Sequence, residues 1–98
     1  MALDFPRLVY IVMAIIEKKV LPEYFTDILA GKKKFELRLG DFEIREGDTL
    51  LLKEWNGIAY TGRELEKQVT YVRKFDIKNL FWPKEDIEKH GLQVIQLE

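Results

Sequence analysis

Residues 50–63 read LLLKEWNGIAYTGR, and this stretch contains the clearest turn signal of the sequence. Three leucines open a strand, and Asn56-Gly57 supplies the two positive φ angles of a type I′ hairpin turn. The predicted pairs across the hairpin are Trp55 with Ile58, Glu54 with Ala59, Lys53 with Tyr60, Leu52 with Thr61 and Leu50 with Arg63. Glu54 and Arg63 therefore share one face of the predicted hairpin.

The segment before the hairpin predicts a helix followed by a strand. Pro22 suits the first position of a helix, and Gly31 suits its C-terminal cap. The apolar residues between them fall on one face, namely Leu21, Phe25, Ile28 and Leu29. From Lys34 to Leu39 polar and apolar residues alternate strictly, which predicts a half-buried strand with Phe35, Leu37 and Leu39 on its inner face.

The ends of the chain predict further short elements. Leu8–Val12 is typical of a buried strand, and the apolar run 8–16 has nine residues, about half of the roughly 20 that span a bilayer. We therefore expect no membrane contact. The stretch 64–75 favours a strand, Asp76 is a potential N-cap, Pro83 interrupts the following helical pattern, and 91–97 predicts a final short strand.

The composition narrows the classes of function. The chain has 98 residues, a net charge of −1, and neither Cys nor Ser. Thiol chemistry, Cys-based zinc sites and Ser-His-Asp hydrolysis are therefore excluded, and the charge argues against bulk binding of duplex nucleic acid. We expect one domain over residues 1–98, no cofactor, no metal and a cytoplasmic location.

Residues 31–38 read GKKKFELR and fit the pattern G-x-K-x-x-E-x-R. Here the sequence resembles the ASCH domains, a branch of the PUA-like superfamily of small β-barrels associated with RNA. The resemblance covers about residues 14–97 and includes Leu21–Phe25, Glu46–Asp48, Thr61–Arg63 and Val69–Tyr71. It implies an α+β, mainly β, PUA-like barrel with one N-terminal helix and short further helical segments, preceded by an extension at residues 1–12 with Met13 as a plausible start.

The motif also has a physical interpretation. Glu36 and Arg38 lie two apart on the predicted strand, so their side chains leave the same face about 7 Å apart. Lys33 can join them only from the turn before the strand, whereas Lys34 has the right parity, and the choice among Lys32, Lys33 and Lys34 stays open. Cations beside a carboxylate can bind a phosphate and a base edge. The alternative is an ordinary solvated edge strand.

A second set of candidate ligand-binding residues comprises Glu54, Arg63 and Tyr71. The alternative for Glu54 and Arg63 is a cross-strand ion pair. Tyr71, together with Trp55 and Tyr60, can stack on a base or pack in the core. His90 is interpreted as an exposed helix end.

The leading hypothesis is a binding module for RNA, a nucleotide or a modified nucleoside, as a monomer or homodimer. Some ASCH proteins are amidohydrolases acting on N4-acetylcytidine, so the resemblance also implies an enzymatic alternative with Lys33 and Glu36 as candidate catalytic residues. In that branch a Thr stands where this chain has Glu36, which puts the nucleophile in doubt, and a Lys33–Glu36 pair could instead activate water by general-base chemistry. A third alternative is a protein-interaction module that uses the apolar stretch 3–12.

Overall fold

The computed structural model of the protein describes residues 13–97. The elements are β1 (Ile15–Val20), α1 (Pro22–Leu29), β2 (Thr49–Trp55), β3 (Tyr60–Gln68), a 3₁₀ turn (Ile77–Asn79) and α2 (Lys84–His90). The protein is therefore a small α+β chain, mainly β, as the sequence predicts. The strand predicted at Leu8–Val12 lies outside the described residues.

The three strands form one mixed sheet in the order β1-β2-β3. β1 runs parallel to β2, with Val20 opposite Glu54, and β3 runs antiparallel to β2. A parallel pair needs a crossover connection, which α1 and the segment 30–48 supply. The sheet is therefore mixed, and β1 and β3 are its outer strands over the described residues.

Helix α1 begins at Pro22, as predicted. Gly31 follows its last turn with a φ of +78°, and its N–H donates to the carbonyl of Ile28 at 3.0 Å. Phe25 and Ile28 of the predicted apolar face are buried, whereas Leu21 and Leu29 are exposed. The inner face of the helix is thus narrower than the pattern suggests.

The core lies between α1 and one face of the sheet. Its buried apolar residues are Val20, Phe25, Ile28, Leu50 and Leu52. Each fully buried side chain of this size contributes about 1.5–3 kcal/mol relative to an exposed one. Beyond β3, the described residues 70–97 add no buried side chain to this core.

Asp48 joins the start of β1 to the start of β2. Its carboxylate is buried and accepts backbone hydrogen bonds from Ala14 at 3.0 Å and Arg45 at 2.9 Å. These two hydrogen bonds hold the pKa of Asp48 below its ordinary value. These hydrogen bonds therefore hold the Glu46-Gly47-Asp48 turn in place beside the start of β1.

The hairpin forms, but its predicted register is wrong. The side-chain oxygen of Asn56 accepts hydrogen bonds from the N–H groups of Ile58 and Ala59, both at 2.9 Å. The loop therefore has four residues instead of the predicted two. Observed pairs are Trp55 with Tyr60, Lys53 with Glu64, Leu52 with Leu65 and Leu50 with Lys67, with an irregularity between Lys53 and Trp55. Each of these β2 residues therefore pairs with a residue further along the chain than its predicted partner.

The prediction of a strand at 34–39 is also wrong, because the described backbone forms no strand there. Leu37 and Leu39, predicted to be buried, are 76% and 78% exposed. Glu36 and Arg38 are instead half-buried. Glu36 and Arg38 of the polar side lie inward, since Glu36 gains two cationic partners there, whereas Lys34 is exposed.

The C-terminal predictions have mixed outcomes. Asp76 caps the 3₁₀ turn by accepting from the N–H of Lys78, as expected, and Pro83 directly precedes α2. Only the first part of the predicted strand 64–75 is formed, since β3 ends at Gln68. The strand predicted at 91–97 is not formed in the described backbone. Over residues 13–97, helices long and apolar enough to cross a bilayer are absent.

Candidate functional site

Lys33, Glu36 and Arg38 come together as the motif predicts, although on a non-strand segment. Lys33 Nζ lies 2.7 Å from Glu36 Oε1, and Arg38 Nε lies 2.9 Å from Glu36 Oε2. Lys33 Nζ also donates to the carbonyl of Phe35 at 2.7 Å. Of the three consecutive lysines, Lys33 is the one in contact with Glu36, while Lys32 and Lys34 are exposed.

The carboxylate of Glu36 has a cationic partner at each of its two oxygens. Each of its oxygens accepts a charge-assisted hydrogen bond, one from Lys33 and one from Arg38. Such bonds are roughly twice as strong as neutral ones. Glu36 therefore bridges Lys33 and Arg38 and holds their cationic groups close together.

Arg38 connects this bridge to the edge of β1. Its Nη2 donates to the carbonyl of Lys19 at 2.7 Å. A surface cleft of about 350 Å³ opens beside this contact and is lined by Glu17, Lys18, Lys19, Arg38 and Tyr60. Small-molecule sites have volumes of about 300–1,000 Å³, so the cleft has room for a ligand of nucleotide size.

An aromatic pair borders the same cleft. Trp55 and Tyr60 face each other across β2 and β3 in an edge-to-face arrangement, with ring centres 5.1 Å apart. The ammonium of Lys19 lies 3.9 Å from the Trp55 ring centre. Lys53, on the same sheet face, pairs with Glu17 at 2.9 Å, and that hydrogen bond raises the pKa of Lys53.

Glu54 and Arg63 meet on the other face of β2, beneath α1. Arg63 donates from Nε to Glu54 Oε1 at 2.9 Å and from Nη2 to Oε2 at 2.8 Å, and the Thr61 hydroxyl donates to Oε1 at 2.6 Å. These hydrogen bonds lower the pKa of Glu54 to about 2. The predicted shared face is confirmed, but neither residue lines the cleft.

Three further aromatic or titratable residues lie away from the cleft lining. Tyr71 is exposed on the segment after β3, and Trp82 packs edge-to-face on Phe81. His90 is the exposed last residue of α2. Within residues 13–97, His, Asp and Glu side chains form no cluster of three or more suited to a metal ion.

Sequence reasoning missed Lys19 and Glu17 as cleft residues. They belong to Glu17-Lys18-Lys19, which follows the apolar run 8–16 and carries no motif. Lys19 reaches the aromatic pair because β1 lies parallel to β2 in a register that places it opposite Lys53. A local pattern does not encode such a long-range register.

One relative is a protein of Escherichia phage P2 named "Uncharacterized 12.9 kDa protein in GpA 3'region". It is 43% identical over 56 residues, which are 57% of this chain and 51% of that protein. The chain thus matches about half the length of this relative. The family model described as "Domain of unknown function (DUF3850)" matches residues 15–81, which is more than half of the chain, and the protein therefore belongs to this family.

Proposed function

We propose that the protein is a binding module for single-stranded RNA or for nucleotides and that its ligand lies in the cleft between Arg38 and Tyr60. The observation that carries the proposal is the position of Arg38. Its guanidinium lines the cleft, is held by Glu36, and reaches the carbonyl of Lys19. A fixed arginine beside the exposed Tyr60 offers a fork for phosphate and a surface for a base.

The size and charge of the cleft support a small or single-stranded ligand. The whole chain carries a net charge of −1, whereas three of the five residues that line the cleft are cationic. The cleft lining thus carries more positive than negative charge, which favours a local anion over the long backbone of a duplex.

The ASCH-like, PUA-like barrel expected from the sequence is part of this proposal. The described sheet would form one wall of such a barrel. Support comes from the contact between the Lys34 N–H and the side chain of Gln96, which brings the segment 33–39 next to the C-terminal segment.

The amidohydrolase alternative has less support. A general base must reach the bound substrate or its attacking water, whereas Glu36 is not among the residues that line the cleft and bridges two cations. The interaction-module alternative concerns residues 3–12, which lie outside the described residues. Nucleotide binding is therefore the function that we put forward.

The test compares two matched double variants of the full chain. Binding of fluorescent short single-stranded RNA of random sequence, and of the four nucleoside monophosphates, is measured at low salt. Lys33→Ala with Arg38→Ala is expected to weaken binding at least about tenfold, equivalent to about 1.4 kcal/mol. Lys84→Ala with Lys89→Ala removes the same charge from α2 and is expected to leave binding unchanged. Equal affinities for the two double variants, or no binding by the natural chain, would contradict the proposal.

A further inference from the structure

The ammonium of Lys19 lies where the cleft meets its aromatic border. Its Nζ is 3.9 Å from the ring centre of Trp55 and 5.7 Å from that of Tyr60. The carbonyl of the same residue accepts from Arg38 Nη2. Lys19 and Arg38 therefore present two cations to one side of the cleft, next to two rings.

Arg38 retains most of its donor capacity. A guanidinium has five N–H donors, and within the described residues Arg38 uses one from Nε and one from Nη2. Three donors remain for a ligand. An arginine whose orientation is already fixed loses little further conformational freedom when it binds an anion.

The charges around the cleft leave a positive excess of two. Glu17 is paired with Lys53, which also contacts Glu64, and Glu36 is shared by two cations. Of the five residues that line the cleft, Lys18, Lys19 and Arg38 are cationic and Glu17 is anionic, which gives the excess of two. A terminal phosphate carries about −1.5 to −2 at pH 7, whereas each phosphodiester of a nucleic acid carries −1. The terminal group matches the excess more closely.

The aromatic border supplies the second half of the recognition. Tyr60 lines the cleft and is half exposed, so a flat base can reach its ring. Stacking of a base on an aromatic ring contributes about 1–3 kcal/mol and tolerates any base. This surface selects a ligand with a base but does not choose among bases.

We propose that the cleft binds a nucleotide through a terminal phosphate monoester, with the phosphate on Lys19 and Arg38 and the base on Tyr60. This inference rests on the proposed function, since it specifies the ligand of the same cleft. The same chemistry is present in a free nucleoside monophosphate and at the phosphorylated end of a single strand.

The experiment measures affinities of the full chain by calorimetry at low salt. The probes are the four nucleosides, their 5′-monophosphates, the corresponding methyl phosphodiesters, and a short RNA with a 5′-phosphate or a 5′-hydroxyl. Monophosphates are expected to bind at least about tenfold tighter than nucleosides, with the diesters between them. Lys19→Gln, which keeps most of the stem, is expected to remove most of this preference. Tyr60→Ala is expected to weaken all base-containing probes alike, and the exposed Lys67→Gln is the control.

The outcomes separate this inference from the proposed function. Equal affinity for nucleosides, diesters and monophosphates, with weakening by Tyr60→Ala, would overturn the phosphate inference and leave nucleotide-sized binding in place. Absence of binding to every probe would overturn both. Preference for the monophosphates supports a free nucleotide as the ligand, and preference for the 5′-phosphorylated RNA alone supports a strand terminus. A preference that survives Lys19→Gln and Arg38→Ala would contradict the assignment to this cleft.

Discussion

Arg63 donates two parallel hydrogen bonds to the carboxylate of Glu54, and Glu54 is only 4% exposed. The guanidinium of Arg63 also lies 4.7 Å from the ring centre of Phe25 on α1. A buried carboxylate is tolerated only when it is paired and hydrogen-bonded. This pair therefore links the hairpin to the helix and has a structural role away from the cleft lining.

The first prediction concerns acid stability. The folded pKa of Glu54 is about 2 against an ordinary value of 4.5, so the unfolded chain binds a proton more readily between these values. The contribution of Glu54 is thus fully present above pH 4.5 and is lost as the pH falls toward 2. We expect the natural chain to exceed Glu54→Gln in free energy of unfolding at pH 6, and this difference to shrink steadily toward pH 2.

Urea unfolding followed by circular dichroism between pH 2 and pH 6 measures this difference. Glu66→Gln removes an exposed carboxylate from β3 and is the control, for which a small and nearly constant difference is expected. A Glu54→Gln difference that stayed constant over the whole range would show that the carboxylate charge does not stabilise the fold.

The second prediction compares two phenylalanines. Phe25 is 1% exposed and Phe81 is 91% exposed. Phe25→Ala is expected to lower the free energy of unfolding by about 3–5 kcal/mol, since it leaves a cavity between α1 and the sheet. Phe81→Ala is expected to change it by no more than about 0.5 kcal/mol. Denaturant unfolding of both variants measures the contrast, and similar losses would contradict the location of the core.

The sequence predicts the elements whose signals are local. Pro22 and Gly31 mark the two ends of α1 closely, and Asp76 marks the N-cap of the 3₁₀ turn. Each of these residues acts on the backbone within a few positions. Asn56-Gly57 marks the position of the hairpin loop but not its length, since the Asn56 side chain binds two N–H groups of the loop. The resulting register displaces the partner of Leu52 by four residues, from Thr61 to Leu65. An even displacement preserves the faces, which is why Glu54 and Arg63 still meet.

Only part of the candidate site could be predicted from the sequence, again because local signals do not encode long-range pairing. The short spacing of Lys33, Glu36 and Arg38 is enough to bring their charges together. The predicted burial is inverted from Glu36 to Leu39, because ion pairing turns Glu36 and Arg38 inward and leaves Leu37 exposed. Lys19 joins the site through the parallel pairing of β1 with β2, which involves residues more than thirty positions apart.

The third prediction concerns the anchor at Asp48. Asp48→Asn places an amide NH₂ opposite one of the two backbone N–H groups that the carboxylate accepts, from Ala14 and Arg45. A buried donor then lacks an acceptor, which is costly. We expect a clearly lower melting temperature at pH 7 for Asp48→Asn than for the exposed Glu46→Gln, measured by thermal unfolding. Because the pKa of Asp48 is lowered in the fold, the gap between the natural chain and Asp48→Asn should narrow as the pH falls below the ordinary carboxyl pKa of 3.8.

The fourth prediction separates a positioning role for Glu36 from a catalytic one. Glu36→Gln keeps an oxygen for Arg38 and removes a negative charge near the cleft, so affinity for nucleoside monophosphates is expected to stay within about threefold or to rise. Glu36→Ala leaves Arg38 Nε without its acceptor and is expected to weaken binding about tenfold, a loss typical of one hydrogen bond to a charged group. Glu43→Gln, an exposed carboxylate on the same connecting segment, is the control. If the natural chain hydrolysed N4-acetylcytidine and Glu36→Gln abolished that turnover while binding persisted, Glu36 would be a general base, and the bridge between Lys33 and Arg38 would be secondary to catalysis.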